Sequence, residues 1–181
     1  MFERHYDSVE RFFHHKVGAQ NDDLIQTTFL GLLEGVERFR GEGNFAAFLF
    51  AIARNTLLKH LRNQRRDLRR FDPAVTSIAA TGTSPIQELE AREQTALLHA
   101  SLLRLPLDTQ IMLELHYWES MKLEDIGLVF DMPINTVKTR MRRGRIALDE
   151  QMRALARTPQ ELEVTAGGLA GWAARLRDEL R

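Results

Sequence analysis

The 181-residue sequence predicts an all-α protein made of two small helical domains joined by a flexible linker. Three observations predict it. Apolar residues recur at three- and four-residue spacing along most of the chain, and no stretch alternates with period two. Glycine and proline fall mostly between these periodic segments. Between Phe71 and Pro85 the pattern lapses into Asp-Pro, Thr-Gly-Thr and Ser-Pro with few large apolar side chains, which divides the helical sequence in two. The predicted organisation is a first domain over 1–70, a linker over 71–85, a second domain over 86–152 and a tail over 153–181.

A first helix is predicted from Phe2 to Val17, ended by Gly18-Ala19-Gln20-Asn21. Asn21 or Asp22 can cap the next helix, and Asp22 and Asp23 suit its positive N-terminal end. That second helix is predicted to reach Arg38, with Leu24, Ile25, Thr28, Phe29, Leu32, Leu33 and Val36 on its apolar face. Arg40-Gly41-Glu42-Gly43-Asn44 reads as a loop. A third helix, from Phe45 to Arg69, carries a predicted buried stripe of Phe45, Phe48, Leu49, Ile52, Leu57 and Leu61. Beyond the linker, helices are predicted over 86–103, 107–118, 123–130 and 133–150. Thr158-Pro159 breaks the pattern. Leu162, Leu169, Trp172, Leu176 and Leu180 then suit a last amphipathic helix, against which Gly167-Gly168 argues. Such a helix is marginal in water and needs a surface to lie on, either the protein's own domains or an external regulator.

Composition removes several function classes. There is no cysteine, hence no disulfide, thiolate metal site or cysteine nucleophile. The histidines, His5, His14, His15, His60, His99 and His116, form no HExxH-type pair, so no metal or other cofactor is expected. The charged N-terminus does not resemble a signal peptide, and the longest apolar run, Phe45–Ala53, is far short of the about 20 residues that span a bilayer. A soluble, cytoplasmic protein without membrane insertion is expected.

Lys+Arg and Asp+Glu balance at 25 each, but they are segregated. Arg54, Lys59, Arg62, Arg65, Arg66, Arg69 and Arg70 face a single acid, Asp67, within 54–70; Lys138, Arg140, Arg142, Arg143 and Arg145 have none among them. Two basic helices on a neutral chain suit a nucleic-acid binder with two contact surfaces, although either run alone could be a solvated helix face.

The segment Lys122–Leu148 decides in favour of binding. Leu123, Ile126 and Val129 give a short helix an apolar face; Phe130-Asp131-Met132-Pro133 makes a turn, with Pro133 suited to the first helical position. The next helix is predicted to bury Ile134, Val137, Met141 and Leu148 and to present Asn135, Thr136, Thr139, Arg142 and Arg143, flanked by Lys138, Arg140 and Arg145. Small polar residues at the leading end fit a major groove, and the arginines behind them reach guanine edges or phosphates.

LEDIGLVFDMPINTVKTRMRRGRIAL resembles the promoter-binding C-terminal domain of bacterial sigma factors of the extracytoplasmic-function class, and LLRLPLDTQIMLELHYWESM resembles its lead-in. Independently, DDLIQTTFLGLLEGVERFRGEGNFAAFLFAIARNTLLKHLRNQRR resembles the sigma domain that binds core polymerase and melts the promoter. The resemblance implies that 1–70 is a region 2-like bundle and 86–152 a region 4-like helix-turn-helix domain. It implies that Asp22, Asp23, Gln26, Thr27 and Leu30 contact core RNA polymerase. Asn44, Phe45, Phe48, Arg54, Asn55, Lys59 and Arg62 would hold the separated minus-ten strand, although Phe48 stands where the family often has tryptophan and equally suits a core role. Asn135, Thr136, Lys138, Thr139, Arg140, Arg142, Arg143 and Arg145 would contact the minus-thirty-five element of promoter DNA. The expected function is transcription initiation without catalysis, with an anti-sigma factor or other regulator as a further partner. A homodimeric helix-turn-helix operator binder would explain only the C-terminal half. A nuclease would need a carboxylate cluster with metal-ligand spacing, which the sequence lacks.

Overall fold

The computed structural model describes residues 2–18, 21–35, 44–71 and 93–156, and all regular structure among them is helical. The helices are α1 (Phe2–Val17), α2 (Asp22–Gly35), α3 (Phe45–Phe71), α4 (Glu93–Leu103), α5 (Leu107–Tyr117), α6 (Leu123–Phe130) and α7 (Ile134–Leu155). They fall into two compact units, Met1–Ile86 and Gln87–Arg181. The predicted extension of α2 to Arg38, the loop residues 41–43, most of the linker, the start of α4 before Glu93 and the tail helix lie outside the described residues.

In the first unit α1, α2 and α3 pack mutually. Gly18, in the left-handed region at φ 77°, ends α1, its N–H donating to the His14 carbonyl at 3.0 Å. Asn21 then opens α2: its carbonyl accepts from Leu24 and Ile25, while its side-chain amide donates to the Glu10 carbonyl and ties the start of α2 to α1. Val9, Phe12 and Phe13 of α1 meet Leu24, Ile25 and Leu32 of α2 and Leu49, Phe50, Ala53 and Leu57 of α3 in one core. Lys16 is buried beside them and made tolerable there by two contacts: its ammonium donates to the Phe12 carbonyl at 2.8 Å and lies over the Phe12 ring.

The α3 stripe differs from its prediction. Leu49 and Leu57 are fully buried, but Phe45, Phe48, Ile52 and Leu61 are only half-buried, and the core is completed by Ala47, Phe50 and Ala53. The cause is the partner helix. α2 offers Gly31 and Gly35 to α3, so the Ile52 methyl and the Phe48 ring rest on bare backbone at the edge of the core; a Cβ at Gly35 would come within 2.9 Å of that ring. Leu33 is a second difference: spacing puts it on the apolar face of α2, yet it is 53% exposed, and Phe29 is half-buried. α3 also takes in Phe71, which the composition assigns to the linker.

In the second unit α7 is the spine, packed on α4, α5 and α6. Val137, Met141, Leu148 and Met152 form its buried row, facing Leu98 of α4, Ile111 and Leu115 of α5 and Ile126 of α6. Each such fully buried side chain contributes about 1.5–3 kcal/mol relative to exposure. Ile134, predicted in that row, is half-buried because it stands at the first position, where the helix has only begun to approach its neighbours. The helix runs to Leu155, five residues beyond its predicted end at Glu150, because Met152 continues the apolar row. Gly144 lies in the same row at the crossing with α5. A Cβ there would stand 2.7 Å from Thr109 Cγ2 and in contact with Leu113, so any side chain at 144 requires the Thr109 methyl to move. Gly144→Val is therefore expected to destabilise this unit by about 1–3 kcal/mol, the usual range for overpacking, as a lower urea midpoint with unchanged slope; an unchanged midpoint would show that α5 yields freely.

Candidate nucleic-acid interface

The interface of the second unit is built by the turn between α6 and α7. Asp131 sits in the left-handed region at φ 51° and ψ 54° and stops α6. The Met132 N–H donates back to the Gly127 carbonyl at 2.9 Å, closing the turn. Pro133 occupies the N-cap position, one residue before its predicted place, and its extended backbone directs the chain into α7 while its carbonyl accepts from Thr136 and Val137. Gly127 makes the turn possible. A Cβ on it would lie 2.9 Å from the Met132 carbonyl oxygen, a backbone atom with no side-chain freedom to move away.

With Val137 and Met141 buried, α7 turns its opposite face to solvent. Asn135, Lys138, Thr139, Arg140, Arg142, Arg143 and Arg145 are all exposed, and Thr136 is half-buried against the turn. At about 100° per residue, Asn135, Thr139, Arg142 and Arg143 form one outward row, with Lys138 and Arg145 on one flank and Thr136 and Arg140 on the other. The Thr139 hydroxyl donates to the Asn135 carbonyl at 2.9 Å, which leaves its methyl and oxygen lone pairs outward. The row is small and polar at the helix N-terminus and cationic two turns on, and its first acid is Asp149, held by Arg153 at 2.8 Å.

In the first unit Asn44 caps α3. Its side-chain oxygen accepts from the Ala46 N–H at 2.9 Å and its carbonyl accepts from Phe48 at 3.2 Å. The Phe45 ring meets the His5 ring at 5.3 Å between centroids. Along α3, Phe48, Asn55, Lys59 and Arg62 fall within about 40° of one line. The line begins with Phe48 against Gly35 of α2 and continues as exposed polar and basic residues. Arg54 is half-buried and about a third of a turn away, so the backbone brings it to the flank of that line. On α2, Asp22, Asp23, Gln26, Thr27 and Leu30 are all exposed on a single face, and Leu33 joins them there. Spacing could have found Leu33, which lies three residues after Leu30. Gly127 and Gly144 carry no signal of their own, because what demands glycine there is a distant backbone or neighbouring helix.

A three-helix bundle and a separate helix-turn-helix unit, each with an exposed basic helix, define a DNA-binding protein of two modules. Residues 1–67 match the family described as Sigma-70 region 2, and residues 95–148 match Sigma-70, region 4. The chain is 31% identical over 159 residues to the RNA polymerase sigma-H factor of Pseudomonas aeruginosa, covering 82% of this chain and 80% of that one. It is 28% identical over 143 residues to the ECF RNA polymerase sigma factor SigW of Bacillus subtilis, covering 74% and 76%. Among solved structures, the sigma factor RpoE in complex with the anti-sigma factor NepR from Bartonella quintana shares the fold, with a TM-score of 0.67 at 20% identity over 86% of this chain and 96% of that one. The chain belongs to the extracytoplasmic-function class of RNA polymerase sigma factors. Among the described residues no helix is long and apolar enough to cross a membrane, and no group of acidic, histidine or cysteine side chains could hold a metal ion.

The turn geometry gives a direct expectation. Gly127→Val is expected to lower the melting temperature of the helix-turn-helix unit and, in the fraction that remains folded, to weaken binding to duplex promoter DNA through a displaced α7. Unchanged melting together with unchanged binding would mean that the turn accepts a side chain at Gly127.

Proposed function

We propose that this sigma factor works in the cytoplasm, binds core RNA polymerase, recognises the minus-ten and minus-thirty-five elements of its promoters and helps separate the strands, without performing a catalytic step itself. One observation carries the reading: a helix-turn-helix with an exposed polar-to-basic row shares a chain with a three-helix bundle that matches region 2 of the same family. A homodimeric operator-binding regulator would leave that bundle unexplained.

In this reading Asn135, Thr136, Thr139, Arg142 and Arg143 face the base edges of the minus-thirty-five element, and Lys138, Arg140 and Arg145 face its phosphates. Strand separation needs only tighter binding of the single strand than of the duplex. Asn44 and Phe45 at the start of α3, the Phe48 ring, and Arg54, Asn55, Lys59 and Arg62 supply stacking, hydrogen bonding and charge along one helix. Asp22, Asp23, Gln26, Thr27 and Leu30 form the face toward core polymerase. A regulator of the anti-sigma type, such as the one bound to the Bartonella quintana protein, would act by covering one of these surfaces.

The DNA assignment is tested on the holoenzyme with a library of promoter sequences. Arg143→Ala is expected to cost about 1–3 kcal/mol of discrimination at one or two base pairs. Arg140→Ala is expected to weaken binding evenly across sequences and to flatten its salt dependence. Equal losses at every sequence from both variants would remove Arg143 from base readout. For the polymerase face, the double variant Asp23→Arg with Gln26→Ala is expected to keep its circular dichroism spectrum and to bind core polymerase at least about tenfold more weakly, a loss of about 1.4 kcal/mol. Unchanged affinity in the folded variant would place the docking face elsewhere.

A further inference from the structure

The outward row of α7 has a centre. At about 100° per residue the buried residues Val137, Met141, Gly144, Leu148 and Met152 cluster about one direction, and Thr139 stands about 180° from it. Asn135, Arg142 and Arg143 lie about 40–60° to either side of Thr139. Within the first three turns of α7, Thr139 is therefore the residue that points most directly away from the core, and it is exposed. It is also the shortest side chain of the row. A groove that admits α7 by this face meets a short side chain at the point of closest backbone approach, with long arginines one turn further on.

The chemistry left to Thr139 is narrow. Its hydroxyl donates to the Asn135 carbonyl at 2.9 Å, so its one donor is spent inside the helix. What remains for a partner is the γ-methyl and the acceptor capacity of the oxygen. The acceptors on base edges, purine N7, guanine O6 and thymine O4, need a donor and gain nothing from this side chain. A donating hydroxyl would first have to leave the Asn135 carbonyl. Cytosine offers an amine but no apolar group. Thymine carries the one apolar group of the major groove, its 5-methyl, and its adenine partner carries an amine. A T·A pair therefore matches both the methyl and the oxygen of Thr139, whereas a C·G pair matches the oxygen alone.

We propose that Thr139 sets specificity at one position of the minus-thirty-five element by placing its γ-methyl against the 5-methyl of a thymine. This rests on the reading of α7 as the minus-thirty-five reader and names the base chemistry at its centre. The contact takes apolar surface of both partners out of water, and cytosine lacks the group that makes it. Preference for a T·A pair can also arise from duplex shape without any contact. The two differ in one respect: duplex shape does not depend on the methyl of residue 139.

The test uses the holoenzyme and the best-bound promoter of the sequence library. Each thymine of its minus-thirty-five element, on either strand, is replaced singly by uracil, which lacks only the 5-methyl. With the wild-type chain, one such replacement is expected to weaken binding by about fourfold, the worth of one buried methyl group. In Thr139→Ser, which keeps the hydroxyl and loses the methyl, that penalty is expected to vanish. In Thr139→Val, which keeps a methyl and loses the hydroxyl, it is expected to persist whatever the absolute affinity. Thr139 is exposed, so both variants are expected to melt with the wild type; if Thr139→Val melts lower, the comparison of Thr139→Ser with the wild type decides alone. The absence of any uracil-sensitive position overturns the proposal. So does a penalty that survives Thr139→Ser, which would assign the preference to another side chain or to duplex shape. A penalty lost in a folded Thr139→Val overturns it as well, by assigning the contact to the hydroxyl. Failure of the minus-thirty-five reading itself appears separately, as a flat response to Arg143→Ala across sequences. A position-specific loss in Arg143→Ala without a uracil-sensitive thymine keeps that reading and removes methyl recognition by Thr139 from it.

Discussion

The close approach of α7 to α5 at Gly144 is the contact on which the second unit depends. α7 packs along its length on α4, α5 and α6, and its buried row of Val137, Met141, Gly144, Leu148 and Met152 sets how it is rotated about its own axis. Fixing that rotation fixes what faces out. A turn of α7 by one residue's worth, about 100°, would carry Arg142 and Thr139 toward the core and expose methionine and valine. The arginines are therefore aimed by apolar packing on the far side of the helix and by a glycine that lets α5 come close. The α6–α7 turn does the same for position along the axis, because Gly127 and the left-handed Asp131 determine where the first residue of α7 begins.

The first unit solves a related problem differently. α3 is longer than its partners: α2 meets it at Phe48 and Ile52 through Gly31 and Gly35, the core continues through Ala53 and Leu57, and residues 62–66 are exposed. The line from Phe48 through Asn55, Lys59 and Arg62 passes from half-buried to exposed along a single helix face. An aromatic ring pinned on bare backbone at one end and exposed basic side chains at the other provide a rigid platform continued by an adaptable, charged track. That order suits a strand that must first be held by a base and then tracked along its phosphates.

Most of this was legible in the residues. The seven helices emerge from apolar periodicity, and α6 and α7 emerge in detail because Pro133, the polar N-terminus and the cationic row agree with one another. The inside of α3 was less legible. Its N-terminal half is apolar on nearly every side, so Phe45, Phe48 and Ile52 read as core as readily as Ala47, Phe50 and Ala53, and only the glycines of α2 decide between them. Leu33 misled for the opposite reason: α2 leaves both Leu30 and Leu33 exposed, so on this helix hydrophobicity does not report burial. The glycines that set the helix crossings could not be read because the need for them arises only after the helices have met.

Neutral net charge has a physical consequence for how the two surfaces work. Each basic helix attracts DNA, but the acids elsewhere in the chain, including Asp22 and Asp23 on the proposed polymerase face, repel it at distances comparable with a Debye length of about 8–10 Å. A single unit therefore gains less from counterion release than a uniformly basic protein would, and alone it would hold promoter DNA weakly at physiological salt. Two weak modules become strong when one scaffold presents both, since binding of the first raises the effective concentration of the second. Core polymerase is that scaffold in the proposed function: it neutralises or buries the acidic face of α2 and holds both readers to one DNA. In the proposed function, charge balance would then make promoter recognition depend on the polymerase that presents both units.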